Sequence, residues 1–181
     1  MHKFLAACAA LVAGSFILPL ALQAQETAEA ASKSELRVGT FDSRVLAIAY
    51  YRSQEFQQYV DGIRARHDQA KTKGDEETAE KLASMMTEKQ RHIHHQGFGT
   101  APIPEILEKI QDDLEAVAQS AGVDVLVGKW DLVYTAPDCD FKDVSLLMAD
   151  AFHPDEKTLK VLKDILETEP VSSEELDRHD H

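Results

Sequence analysis

Residues 36–127 of the 181-residue chain leave few folds open. They begin with a short alternating run, Leu36-Arg37-Val38-Gly39-Thr40-Phe41, and end with a second, Val123-Asp124-Val125-Leu126-Val127. Alternation sends successive side chains to opposite faces, so both runs predict strands. Between them helical periodicity persists from about Ser43 to Ala121, interrupted near Lys73-Gly74-Asp75 and Gly97-Phe98-Gly99. Long helices set between few strands predict an α+β, mostly helical fold. Its expected form is an antiparallel, coiled-coil-like helical hairpin on a small β-sheet body, with C-terminal helices.

The punctuation inside this stretch has chemical reasons. Asp42-Ser43 suits a helix N-cap, where a side-chain oxygen accepts an otherwise unpaired backbone N–H. One helix is predicted from Arg44 to Thr72, with three-and-four spacing of apolar residues from Phe56 through Tyr59, Val60, Ile63 and Ala70. Gly74 suits the left-handed position that ends a helix. Asp75 then caps a second helix, Glu76 to His95, whose stripe is Ala79, Leu82, Met85/Met86 and Ile93. So short a turn forces the two helices antiparallel, an arm of about residues 53–97 and roughly 30 Å long at 1.5 Å per residue.

Past the arm, Gly97, Gly99, Pro102 and Pro104 mark a break. A third helix is predicted from Ile103 to Ala121, ended by Gly122. Trp130-Asp131-Leu132-Val133-Tyr134-Thr135 reads as a third strand, hairpinned to the second. Asp143 can cap a short helix carrying Val144, Leu147 and Met148. His153-Pro154-Asp155-Glu156 opens another, with Pro154 at its first position. Ser172-Ser173-Glu174-Glu175 is a capping box for a last turn, and the chain end is expected to be disordered.

Residues 1–24 read as an export signal: His2-Lys3, an apolar run from Phe4 to Leu22, and a small residue at Ala24. Leu5-Ala6-Ala7-Cys8 resembles a lipidation box but stands too early in the run. Residues 25–35 are small and polar, a flexible leader. Cleavage leaves 157 residues, one domain's worth, removes Lys3, and takes the net charge from −13 to −14. Removal of the signal then takes the chain out of the cytoplasm, with no stable membrane insertion after cleavage.

So acidic a chain lacks the Lys and Arg clusters that phosphate backbones require, which excludes nucleic acid as a partner. Cys139 is the one cysteine left, so no internal disulfide forms; a buried or inert thiol is expected. No nucleophile–base pair, phosphate loop or nucleotide fingerprint is present, so neither an enzyme nor a cofactor is expected. His92 and His95 are three residues apart on a helix and could contribute to a metal site with a carboxylate. Asp138, Asp140 and Asp143 lack the spacing of a calcium loop.

Three short strands and a thin hairpin bury little surface, and a small open sheet has edges that need partners. Pooling strands between chains answers both needs, so a cyclic homo-oligomer is expected.

Several stretches resemble the Skp/OmpH-like periplasmic chaperone family: Val38-Gly39-Thr40-Phe41-Asp42-Ser43; Ile110-Gln111 through Val117-Ala118 into Gly122-Val123-Asp124-Val125-Leu126-Val127; and Asp131-Leu132-Val133-Tyr134 followed by Asp143-Val144-Ser145-Leu146-Leu147. The resemblance covers most of residues 36–152 and leaves 153–181 as a C-terminal helical extension. It implies a trimer whose helical arms hold unfolded or outer-membrane proteins without ATP. Phe56, Tyr59, Leu82, Met85 and Met86 are then the candidate client-binding residues. The strong acidity, the short arms and the break at 97–104 depart from the family pattern. They keep open an envelope structural or adaptor protein without holdase activity, and a His-based metal-binding protein.

Overall fold

The computed structural model describes residues 36–179. The expected signal, leader and lipidation box, and the last two residues of the chain, lie outside the described residues. The described chain is mostly helical, with eight α-helices and one three-stranded sheet.

The sheet is entirely parallel. β1 (Val38–Phe41) lies in the centre, with β2 (Val125–Gly128) on one side and β3 (Phe141–Asp143) on the other. Val38 stands opposite both Val125 and Phe141. The helical segment between β1 and β2 is a crossover long enough for parallel pairing. The connection from β2 to β3 then crosses β1 to reach the opposite edge. This corrects the expected hairpin of Trp130–Thr135 on the second strand. Lys129–Asp131 is a single 3-10 turn, and residues 132–135 belong to no strand. The alternation is broken because Trp130 turns inward, donating its indole N–H to Asp42 Oδ1 at 3.1 Å. The third strand is the three-residue β3, too short and too polar for periodicity to mark it.

The predicted first helix is two. α1 (Ser43–Tyr51) is capped by Asp42, which accepts the Arg44 N–H at 3.0 Å. α2 (Gln54–Lys73) starts anew because Ser53 Oγ accepts the Phe56 N–H at 3.2 Å, competing with helix continuation. Aromatic rings fill the corner: Tyr51 and Phe56 pack edge-on with centroids 4.8 Å apart, and Tyr50 packs on both. Gly74 ends α2 at φ 72°, and Asp75 caps α3 (Glu76–Phe98) by accepting the Thr78 N–H at 3.1 Å. α2 and α3 pack on each other, burying Ile63, Ala70 and Ala79. α3 runs three residues past His95, through Gly97. A Cβ there would come within 2.9 Å of Ile48 Cδ1, so glycine lets α3 lie close to α1.

The predicted third helix also divides, into α4 (Pro104–Lys109) and α5 (Leu114–Ala121). Between them Ile110 and Asp113 donate to carbonyls three residues back, tightening the chain where Asp112-Asp113 disfavours a helix interior. α6 (Ser145–Ala149) follows β3, and α7 (Glu156–Leu166) is capped by Asp155, so Pro154 precedes the cap rather than opening the helix. α8 (Ser173–His179) is more than a frayed turn: Leu176 is buried and the helix packs on α3.

α1 is the centre of the body. Seven of its nine residues are buried, against α3, α6, α7 and α4. Leu162 of α7 is wholly buried in the same core as Leu46, Ile106 and Met148. One chain therefore closes a core of its own, contrary to the expectation that it buries little. α7, outside the stretch of the family resemblance, is part of that core. No described helix is long and apolar enough to cross a membrane.

Candidate functional site

The arm carries a groove of 380 Å³ between α2 and α3, lined by Tyr59, Ile63, Met85, Met86, Glu88, Lys89, Arg91, His92 and His95. Three-and-four spacing on both helices delivers these residues to the same cleft. Tyr59 and Met85 are 48% and 39% exposed, so the apolar lining is open to solvent although two helices have already packed beside it. Two unbranched methionines give the lining a soft, adaptable shape.

The candidate client residues therefore separate. Tyr59, Met85 and Met86 share the groove. Phe56 does not reach it: it is 4% exposed and belongs to the aromatic corner with Tyr50 and Tyr51. Leu82 lies half-buried outside the lining. Ile63, Lys89 and Arg91 were not among the candidates, although Ile63 continues the Phe56–Tyr59 stripe and Lys89 interrupts that of α3.

His92 and His95 both reach the groove, but each faces a different carboxylate. His92 Nε2 is 3.1 Å from Glu105 Oε1, and His95 Nε2 is 3.3 Å from Asp177 Oδ1. Among the described residues no three His, Cys, Asp or Glu side chains converge as metal ligands. Cys139 is a free thiol and exposed, which corrects the buried alternative of the expectation.

A polar network underlies the groove's inner end. Gln96 is wholly buried: its Oε1 accepts from the Tyr51 hydroxyl, and its Nε2 donates to Pro102 O at 2.7 Å and Glu105 Oε1 at 2.8 Å. Burial would raise the Glu105 carboxyl, but bonds from Gln96, its own backbone N–H and His92 hold it below its ordinary value. The Tyr51 phenol is pushed upward, first by burial and then by the Glu105 and Tyr50 charges. The base of the arm is thereby locked to the 102–105 turn.

A second polar centre joins the body. Asp42 receives bonds from Arg44 and Trp130, while its own N–H donates to Ser145 Oγ at 2.8 Å. Burial raises the Asp42 carboxyl, yet the Arg44 and Trp130 bonds outweigh it and leave it below the ordinary value. Arg44 also donates to Thr168 O at 2.9 Å and lies 5.3 Å from the Trp130 ring centroid, so its donors are spent inside the fold. The groove can bind apolar side chains; the Asp42 centre is sealed and structural.

No protein-family model, curated protein or solved structure matches the chain.

Proposed function

We propose that the protein is an exported, chaperone-like holdase that binds unfolded or outer-membrane protein segments without ATP. On this reading α2 and α3 form an antiparallel, coiled-coil-like arm on the sheet body, and copies join as a trimer in the periplasm. The observation that carries the reading is the open groove of Tyr59, Ile63, Met85 and Met86 at the root of the arm. Exposed apolar surface with adaptable methionines suits many apolar segments and selects few. The resemblance of residues 36–152 to Skp/OmpH-like chaperones supports it.

The test is aggregation of a denatured outer-membrane protein, followed by light scattering. Stoichiometric protein is expected to suppress it, and Met85→Glu/Met86→Glu to lose the effect while keeping the wild-type circular dichroism. No suppression at any ratio rejects the holdase.

A second reading, an envelope adaptor with one folded partner, is favoured by the 20- and 23-residue arm helices, short for enclosing a client, and by the net charge of −13. Recovery of a single folded partner, without holdase activity, distinguishes it. The His-based metal reading is tested by calorimetry with Zn²⁺: heat lost in a His92→Ala/His95→Ala variant supports it.

A further inference from the structure

We infer that the groove on the arm is filled by a second copy of this chain, through the segment Leu132-Val133-Tyr134, of which Val133 and Tyr134 are exposed. The inference uses the groove identified above but does not rest on its proposed client, which would compete with the neighbouring copy's loop for the same surface.

Two features of the described chain are each unpartnered and match in chemistry. The first is the segment. Val133 is 100% exposed and Tyr134 80%, the largest exposures among the apolar residues of the described chain. An aliphatic and an aromatic side chain together in water are costly to leave uncovered. The segment is bracketed by Asp131 on one side and by Asp138 and Asp140 on the other, and residues 131–140 include no Lys, Arg or His. The Cys139 N–H donates to Ala136 O at 3.1 Å, a turn that carries Asp138 and Asp140 on the same loop as the apolar pair.

The second feature is the groove, made only of α2 and α3 residues, so the chain's own loop does not occupy it. Its rim holds Lys89 and Arg91, neither of which has a carboxylate partner among the described residues, in a chain with 32 acidic and 19 basic residues. Glu88 is the opposing rim charge, and His92 and His95 are already matched by Glu105 and Asp177. An apolar segment carrying carboxylates thus meets an apolar cleft whose rim carries two fixed cations to one carboxylate. Tyr134 and Val133 would lie against Tyr59, Met85 and Met86, with Asp138 and Asp140 near Lys89 and Arg91. Each copy lends its loop to the groove of the next, a head-to-tail contact that closes into a ring where the rotation between copies permits and otherwise extends as a filament.

The test is sedimentation velocity of the full-length protein at tens of micromolar and low ionic strength, with charge reversal on either side. Wild type is expected to associate. Val133→Ser/Tyr134→Ser, both on the surface, is expected to weaken association by roughly ten- to a hundredfold. Lys89→Glu/Arg91→Glu and Asp138→Lys/Asp140→Lys should each weaken it, and an equimolar mixture of the two should associate more strongly than either alone, because the acidic groove of one variant meets the basic loop of the other, although only an even-membered ring matches every contact. The loop variant is less acidic overall, so general charge repulsion predicts the opposite for it. A monomeric wild type overturns the inference. So does association that the Lys89→Glu/Arg91→Glu variant leaves unchanged, which would assign the segment to another surface such as a sheet edge. So does a mixture that associates no more strongly than either variant alone. The holdase assay is read separately: self-association without holdase activity rejects the proposed function and keeps this inference, and the reverse result does the opposite.

Discussion

Arg44 Nη2 donates to Asp42 Oδ2 at 2.7 Å, and neither side chain is more than 3% exposed. Two residues apart, they form an ion pair at the point where β1 becomes α1, and Trp130, Ser145 and the end of α7 at Ile165 and Thr168 bring three other parts of the chain to it. A buried pair is weak evidence of net stabilisation, because desolvation offsets attraction. Breaking it from one side is a different matter. Arg44→Ala leaves a buried carboxylate with the Trp130 bond and its own cap interaction alone. The expected loss is about 3–5 kcal/mol, read as a lowered urea midpoint with near-native circular dichroism at zero denaturant.

The exposed counterpart is Arg37–Asp124, which ties the start of β1 to the start of β2. Arg37 donates from Nε at 3.1 Å, from Nη2 at 2.8 Å and from its backbone N–H at 3.0 Å. These bonds lower the Asp124 carboxyl to about 2. A depressed carboxyl contributes stability that is fully present above its unfolded value, near 3.9. That contribution is lost as pH falls through the folded value. A carboxyl-detected NMR titration is expected to show Asp124 still ionised at pH 3. In Arg37→Ala its midpoint should rise toward the ordinary value; an unmoved midpoint rejects the assignment.

Gln96 offers a test of the arm's root. Gln96→Leu leaves the Tyr51 hydroxyl and the Pro102 carbonyl without the partners they have now. A loss of about 1–3 kcal/mol is expected. Tyr51→Phe added to Gln96→Leu removes one orphaned group and should recover part of that loss in the same denaturation series. Additive losses instead would show that the hydroxyl is satisfied elsewhere.

Two glycines should respond with opposite sign. Gly62 sits inside α2 with nothing within 4 Å of where a Cβ would stand, so Gly62→Ala is expected to stabilise by about 0.5–1 kcal/mol. Gly39 lies in the central strand, where a Cβ would stand 3.0 Å from Leu126, 3.1 Å from Val123 and 3.3 Å from Val144. Gly39→Ala must push three packed side chains apart, and a loss of about 1–3 kcal/mol is expected. Thermal melts of both variants beside wild type check the pair.

Sequence by itself determined the local events. The Asp42 cap, the left-handed Gly74 and Gly122, the Asp75 cap and the helical character of most of residues 44–121 all follow from bonds and torsions within a few residues. The three-and-four stripe also placed Tyr59, Met85 and Met86 on the arm, and the structure puts them in one groove. Phe56 lies on the same stripe, yet the Ser53 corner turns it into the core, which spacing along a helix cannot register. Tertiary structure alone decided the parallel sheet, because strand direction depends on how the chain crosses over and not on alternation within a strand. It alone decided that Trp130 leaves the strand pattern, because the buried Asp42 carboxylate it satisfies is 88 residues away in sequence. It also decided that Lys89 and Arg91 have no carboxylate partner among the described residues while His92 and His95 find carboxylates, since pairing of charges depends on distance in space.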